Sequence, residues 1–188
     1  MTTSQTVFAF TATAAVALIA AFTSFSLVSA SGHQGPVERG RYLTTAMMCN
    51  DCHTPWQLGP NGPGPDMSRM LSGHPADLQL PPAPPGTDAW PTRAAASMTA
   101  WSGPWGTSYT ANLTPDPETG IGRWTADEFV ASLRTGRHQG RGRQILPPMP
   151  WPFISQLTDE DLRAIFAYLQ TVPKVSNKVP EPLPPTKG

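Results

Sequence analysis

Apolar positions along the chain gather into three stretches with helical spacing. Tyr42, Leu43, Ala46 and Met47 fall on one face, which predicts a helix over 37–48 running directly into Cys49. Phe129, Val130 and Leu133 form a second apolar face behind Thr125. Thr125 has the chemistry of an N-cap, Glu128 is its capping-box partner three residues on, and Gly136 marks the end. The third stripe is Leu162, Ile165, Phe166 and Leu169. Thr158 caps it, and Asp159, Glu160 and Asp161 suit the positive end of the helix dipole. Pro173 stops it.

Between the first and second helices, residues 54–108 read as an insertion crowded with Pro and Gly. Proline removes a backbone donor and clashes with the preceding turn, so long helices cannot persist there. Short helical turns are expected near 66–71 and 92–100. Trp56, Trp90, Trp101 and Trp105 make the stretch too apolar for a free linker, and it is expected to pack as a coat over the core. No alternating strand pattern is visible. The expectation is an all-α domain over 31–174 with a long Pro/Gly-rich loop insertion, followed by a flexible tail over 175–188.

Residues 1–30 carry no charged side chain, and 7–28 are mostly apolar. Val28-Ser29-Ala30 offers small residues at a cleavage position, which predicts a signal peptide removed after Ala30. A retained N-terminal membrane anchor is the alternative, since about 20 apolar residues span a bilayer. Either way the remainder is expected outside the cytoplasm, in the periplasm.

Composition sharpens the picture. The 188 residues include 23 prolines, and the formal net charge is zero. Phosphate neutralisation needs a basic excess, so nucleic acid is excluded as a general partner. Cysteine is confined to Cys49 and Cys52, too few for a disulfide scaffold.

Those two cysteines stand in Cys49-Asn50-Asp51-Cys52-His53, the attachment pattern of c-type haem. Sulfurs at i and i+3 project from one helical face toward the two vinyl groups on one porphyrin edge, and the following imidazole reaches the iron. A redox CxxC would sit at a strand-to-helix junction, and no strand pattern precedes Cys49. Zinc would need further paired Cys or His, which His33, His74 and His138 do not supply. One motif implies one haem c.

For the second iron ligand, Met149 is favoured. A thioether is a weak ligand and needs a stiff loop, which Pro147, Pro148 and Pro150 provide. Met98 is the rival. His74 and His138 read as surface or coat residues. His53 is expected to donate its other ring nitrogen to a backbone carbonyl, with Pro65 as the candidate. Arg134, Arg137, Arg141 and Arg143 form a basic cluster that could steer an acidic partner or neutralise a haem propionate, or could be a plain solvated turn.

With Gly40, Tyr42 and Leu43 before CNDCH, the Met149 loop and LTDEDLRAIFAYL, the chain resembles a class I cytochrome c. CNDCHTP and ANLTPDPETGIGRWTADEF narrow the resemblance to cytochrome c domains associated with bacterial periplasmic dehydrogenases. It implies a cytochrome c-type fold with crossed terminal helices and Gly40 close to Tyr168. It also implies Cys49 and Cys52 as thioethers, with His53 and Met149 as iron ligands. The implied function is single-electron transfer between a dehydrogenase and a terminal oxidase or another cytochrome, with no catalysis by this chain. The alternative class is a haem enzyme or gas sensor with a displaceable distal ligand.

Overall fold

The computed structural model describes residues 35–185. The expected signal segment lies outside them. Five α-helices are present among the described residues: α1 (Pro36–Ala46), α2 (Cys49–His53), α3 (Ala126–Thr135), α4 (Trp151–Ile154) and α5 (Asp159–Leu169). Between α2 and α3 lie five strands: β1 (Trp56–Gly59), β2 (Gly62–Pro65), β3 (Arg93–Ala94), β4 (Ala100–Gly103) and β5 (Gly106–Tyr109). None of the helices among the described residues is long and apolar enough to cross a membrane.

The long helices form where local chemistry predicts. Thr125 Oγ1 accepts from the Glu128 N–H while Glu128 reaches back to the Thr125 N–H, closing the capping box of α3. Gly136 ends that helix in the left-handed conformation. Thr158 caps α5 by accepting from the Asp161 N–H. The α1 prediction needs a correction. The helix stops at Ala46, and Met48 takes a left-handed φ of 57° before α2 begins, so the two are separate elements. Tyr42, expected on the inner face, is exposed, whereas Leu43 is buried.

The core lies among α1, α3 and α5. Leu43, Phe129, Leu133, Leu162, Ile165 and Leu169 are buried in one cluster. Leu162 and Leu169 are 0% and 1% exposed, so each contributes the full burial term of about 1.5–3 kcal/mol. Where α1 crosses α5, a Cβ on Gly40 would stand 1.9 Å from the Ala164 carbonyl oxygen and 2.8 Å from Tyr168 Cβ. Only glycine permits that approach, as expected. The crossing is also tied by the Arg39 guanidinium, which donates to Asp161 at 2.8 Å.

The all-α expectation fails in the insertion. β1 and β2 form an antiparallel ribbon, with Trp56 opposite Pro65 and Gly59 opposite Gly62. β3, β4 and β5 form a three-stranded antiparallel sheet in that order. The strands are two to four residues long, too short to display an alternating pattern. Pro63 and Pro65 are tolerated because a two-stranded ribbon has only edge strands. A helical turn forms at Met67–Arg69, but 92–100 is β3 and a turn instead.

The coat is also uneven. Leu71 to Pro75 and Ser97, Thr99 and Ala100 are buried, while 81–91 is exposed throughout, Trp90 included. The segment after α5 lies against the insertion, with Leu183 bridged to Thr107 by two backbone hydrogen bonds.

Two outcomes are expected here. Gly40→Ala overpacks the crossing and lowers stability by about 1–3 kcal/mol in denaturant titration; wild-type stability would mean that the helices do not meet so closely. The Arg39 guanidinium holds the Asp161 carboxyl below the usual carboxylate range. Its contribution is therefore present above the ordinary carboxylate pKa and is lost as pH falls through the lowered value. The melting-temperature gap between wild type and Asp161→Asn should narrow as the pH falls below the ordinary carboxylate range; a gap that widens would contradict the pairing.

Candidate functional site

Helix α2 is a single turn of Cys49-Asn50-Asp51-Cys52-His53, so the two cysteines at i and i+3 share one face. The left-handed Met48 that leads into it costs about 1–2 kcal/mol for a non-glycine residue. Both thiols are free and half-buried. Burial pushes the Cys49 thiol up to about 11, and burial together with the nearby Asp51 raises Cys52. A redox dithiol relies on a depressed thiol pKa. The shift here runs the other way, toward a pair of neutral sulfurs.

His53 is buried at 7% exposure, and its Nδ1 lies 2.8 Å from the Ala111 carbonyl oxygen. A carbonyl can only accept, so Nδ1 carries the proton and, in the neutral ring, Nε2 keeps its lone pair. Burial lowers the His53 pKa, against the opposing pull of the Ala111 carbonyl. The result is a neutral imidazole with a defined tautomer and one nitrogen left to bind a metal.

The acceptor is Ala111 and not Pro65, which lies in β2 opposite Trp56. The reason is a long-range pairing. His74 N–H donates to Thr110 O at 3.0 Å and Leu113 N–H to Leu71 O at 2.8 Å, which joins 71–74 to 110–113. Gly73 N–H donates to His53 O at 2.8 Å. Gly73 has φ +76°, and a Cβ there would lie 2.5 Å from Thr110 O and 2.6 Å from the Ala111 carbonyl carbon. Glycine is thus required for the segment that lays Ala111 against the ring.

Two more side chains brace α2. Thr54, fully buried, accepts from the Leu71 N–H and donates to Asn50 Oδ1, both at 2.9 Å. Trp56 Nε1–H donates to Asp51 O at 3.1 Å.

Met149 is half-buried and packs against the same hydrophobic cluster as Met47 and Cys49. Its loop is held by Ser108, whose hydroxyl donates to Pro147 O at 2.6 Å. Met98 sits instead in the turn before β4, where its carbonyl accepts from Trp101 Nε1–H. His74, read as a surface or coat residue, is a buried member of the insertion; Thr99 bonds its ring at 3.0 Å and Tyr109 stacks on it at 4.7 Å. His138 is exposed and meets Trp124 edge-on.

The basic cluster is largely spent internally. Arg134 pairs with Asp159, Arg141 with Glu128 and Arg143 with Glu181. Arg137 donates to Gly142 O.

The donor set fits c-type haem: two unlinked neutral thiols on one face, a neutral histidine with Nε2 available, and a methionine on the shared core. No three His, Cys, Asp or Glu side chains among the described residues gather as a metal-ion site. Sequence reasoning missed Ala111, because a backbone acceptor carries no residue signature. It also missed Gly73 and Thr54, whose partners are set by the tertiary pairing.

No family model matches the chain. It is 39% identical over 144 residues to a subunit of the nicotinate dehydrogenase of Pseudomonas putida, covering 77% of this chain and 9% of the relative. It is 31% identical over 142 residues to the fructose dehydrogenase cytochrome subunit of Gluconobacter japonicus, covering 76% and 22%. It is 30% identical over 154 residues to the gluconate 2-dehydrogenase cytochrome c subunit of Pantoea cypripedii, covering 81% and 27%. The chain therefore spans less than a third of the length of these relatives.

Thr54→Val should cost about 1–3 kcal/mol, because it leaves the buried Leu71 N–H without an acceptor at nearly constant side-chain shape. Thermal or denaturant unfolding checks this, and an unchanged midpoint would remove Thr54 from the bracing of α2.

Proposed function

The chain belongs to the cytochrome c family found in the cytochrome subunits of bacterial dehydrogenases, and we propose that it is a mono-haem electron carrier working in the periplasm between a dehydrogenase and a downstream respiratory acceptor. The observation that carries this reading is the neutral His53, with Nδ1 committed to Ala111 and Nε2 available, beside two free thiols on one helical face. Relatives that are cytochrome subunits of dehydrogenases support an electron-transfer role rather than catalysis by this chain.

In this reading Cys49 and Cys52 attach the haem as thioethers, and His53 and Met149 are the iron ligands. The chain has only two cysteines and one CxxCH, which supports a single haem c. When bound, haem supplies a one-electron ferrous–ferric cycle. The protein's part is to hold that group and restrict what reaches it. His53 is fixed in tautomer and orientation by Ala111. Met149, a weak thioether donor, is steadied by its proline-flanked loop and by Ser108. A His/Met pair would raise the reduction potential relative to His/His, and an iron held by both His53 and Met149 would exchange electrons rather than bind a substrate.

The donor is a dehydrogenase, and the acceptor is a terminal oxidase or another cytochrome. With Arg134, Arg141 and Arg143 paired internally, recognition falls to the surface around the Met149 loop, where Pro147, Pro148, Pro150 and Phe153 are exposed. Membrane attachment follows only if the N-terminal segment is retained.

Intact mass and visible spectra of the exported protein test the proposal. The mass should exceed that of the polypeptide by one haem, and Cys49→Ala with Cys52→Ala should abolish covalent retention under denaturing conditions. Met149→Ala should remove the methionine-to-iron charge-transfer band of the oxidised protein and open the iron to carbon monoxide. Rapid carbon monoxide binding by the wild type would favour a sensor or enzyme, and a mass without haem would sink the reading.

A further inference from the structure

We propose that Asn177, on the segment following the last helix, is a positioning residue for His53 and thereby helps set the midpoint potential of the carrier. The inference rests on the reading of His53 as an iron ligand.

His53 is gripped at two points. Its side chain donates to Ala111 O, and its carbonyl accepts from Gly73 N–H, each at 2.8 Å. Ala111 and Gly73 belong to the paired segments 110–113 and 71–74. The geometry of the His53 hydrogen bond thus depends on how firmly that pair is held.

Asn177 holds one side of it. Its amide donates to Ser72 O at 2.7 Å and His74 O at 2.9 Å, the carbonyls that flank Gly73. Its Oδ1 accepts from Ala76 N–H at 2.8 Å. The amide's two protons and its oxygen are all engaged, which fixes its orientation.

The same segment holds the other side. Asn112, next to Ala111 and buried, donates to Val175 O at 2.8 Å. Val175 N–H donates to Thr114 Oγ1 at 3.1 Å, and Asn177 N–H to Thr119 Oγ1 at 2.9 Å. Val175–Asn177 therefore bridges both segments that grip His53. A tail that only covered apolar surface would not spend a half-buried amide on the two carbonyls around Gly73.

The functional consequence follows from ligand chemistry. A firm Nδ1–H···O=C bond raises the basicity of the imidazole. A more basic ligand favours the ferric state and lowers the potential. Loosening the strap weakens that bond, so the midpoint rises.

The test uses the full-length exported holo-protein with Asn177→Ala and Asn177→Leu. The leucine keeps the side chain's approximate size and removes its hydrogen bonds without adding a charge, so it separates packing from the polar strap. Midpoints come from spectroelectrochemical titration, and exchange of the His53 Nδ1 proton from NMR of the reduced protein. Both variants should show a more positive midpoint and faster exchange than wild type. A lowered melting temperature with wild-type midpoint and exchange would overturn the proposal, leaving Asn177 a packing residue. Unchanged midpoints in haem-loaded variants overturn this inference alone, whereas a wild-type protein without attached haem overturns the carrier reading beneath it.

Discussion

The site depends on one constraint: a buried histidine must be neutral, in one tautomer, and aimed by a single carbonyl. Burial alone would keep the His53 ring uncharged but leave either nitrogen protonated. The Ala111 carbonyl removes that freedom, because it can only accept. Most of what surrounds the ring can be read as support for that carbonyl. Gly73 lets the chain approach Thr110 and Ala111 closely, and the hydrogen bonds between 71–74 and 110–113 hold the approach.

The helices supply a frame with little freedom of its own. Gly40 seats α1 against the backbone of α5, and Leu162, Ile165 and Leu169 face the shared core. Cys49 and Met149 both pack on that core, so two residues a hundred positions apart in sequence are referred to the same rigid body. A cofactor fastened at one and met by the other would be held without a large dedicated cavity. The proline-rich insertion has a divided role. Residues 71–75 are buried and supply one side of the bracket around His53, whereas 81–91 is exposed.

Electrostatics contribute by cancellation more than by display. Three arginines that look like a steering patch along the sequence each meet a carboxylate from another element. Such exposed pairs are worth little in stability, typically below about 1 kcal/mol. Their effect is to pair off three of the four positive charges in the segment that precedes the Met149 loop. The relatives are several times longer than this chain, so the resemblance covers only a segment of each.

Local chemistry along the sequence determined the three longer helices, the caps at Thr125 and Thr158 and the CNDCH motif, each of which depends on residues within a few positions of one another. The close contact at Gly40 was implied by the family resemblance, and the short helix Trp151–Ile154 was not foreseen. The strands escaped because they are two to four residues long and rich in Pro and Gly, and such ribbons are stabilised by partners rather than by a periodic pattern. Tertiary structure decided the identity of the His53 acceptor, the burial of His74, the internal pairing of the arginines and the seating of Asn177. These rest on backbone carbonyls and on contacts between segments far apart in the chain. A carbonyl is the same at every residue, so only folding chooses which one faces the ring.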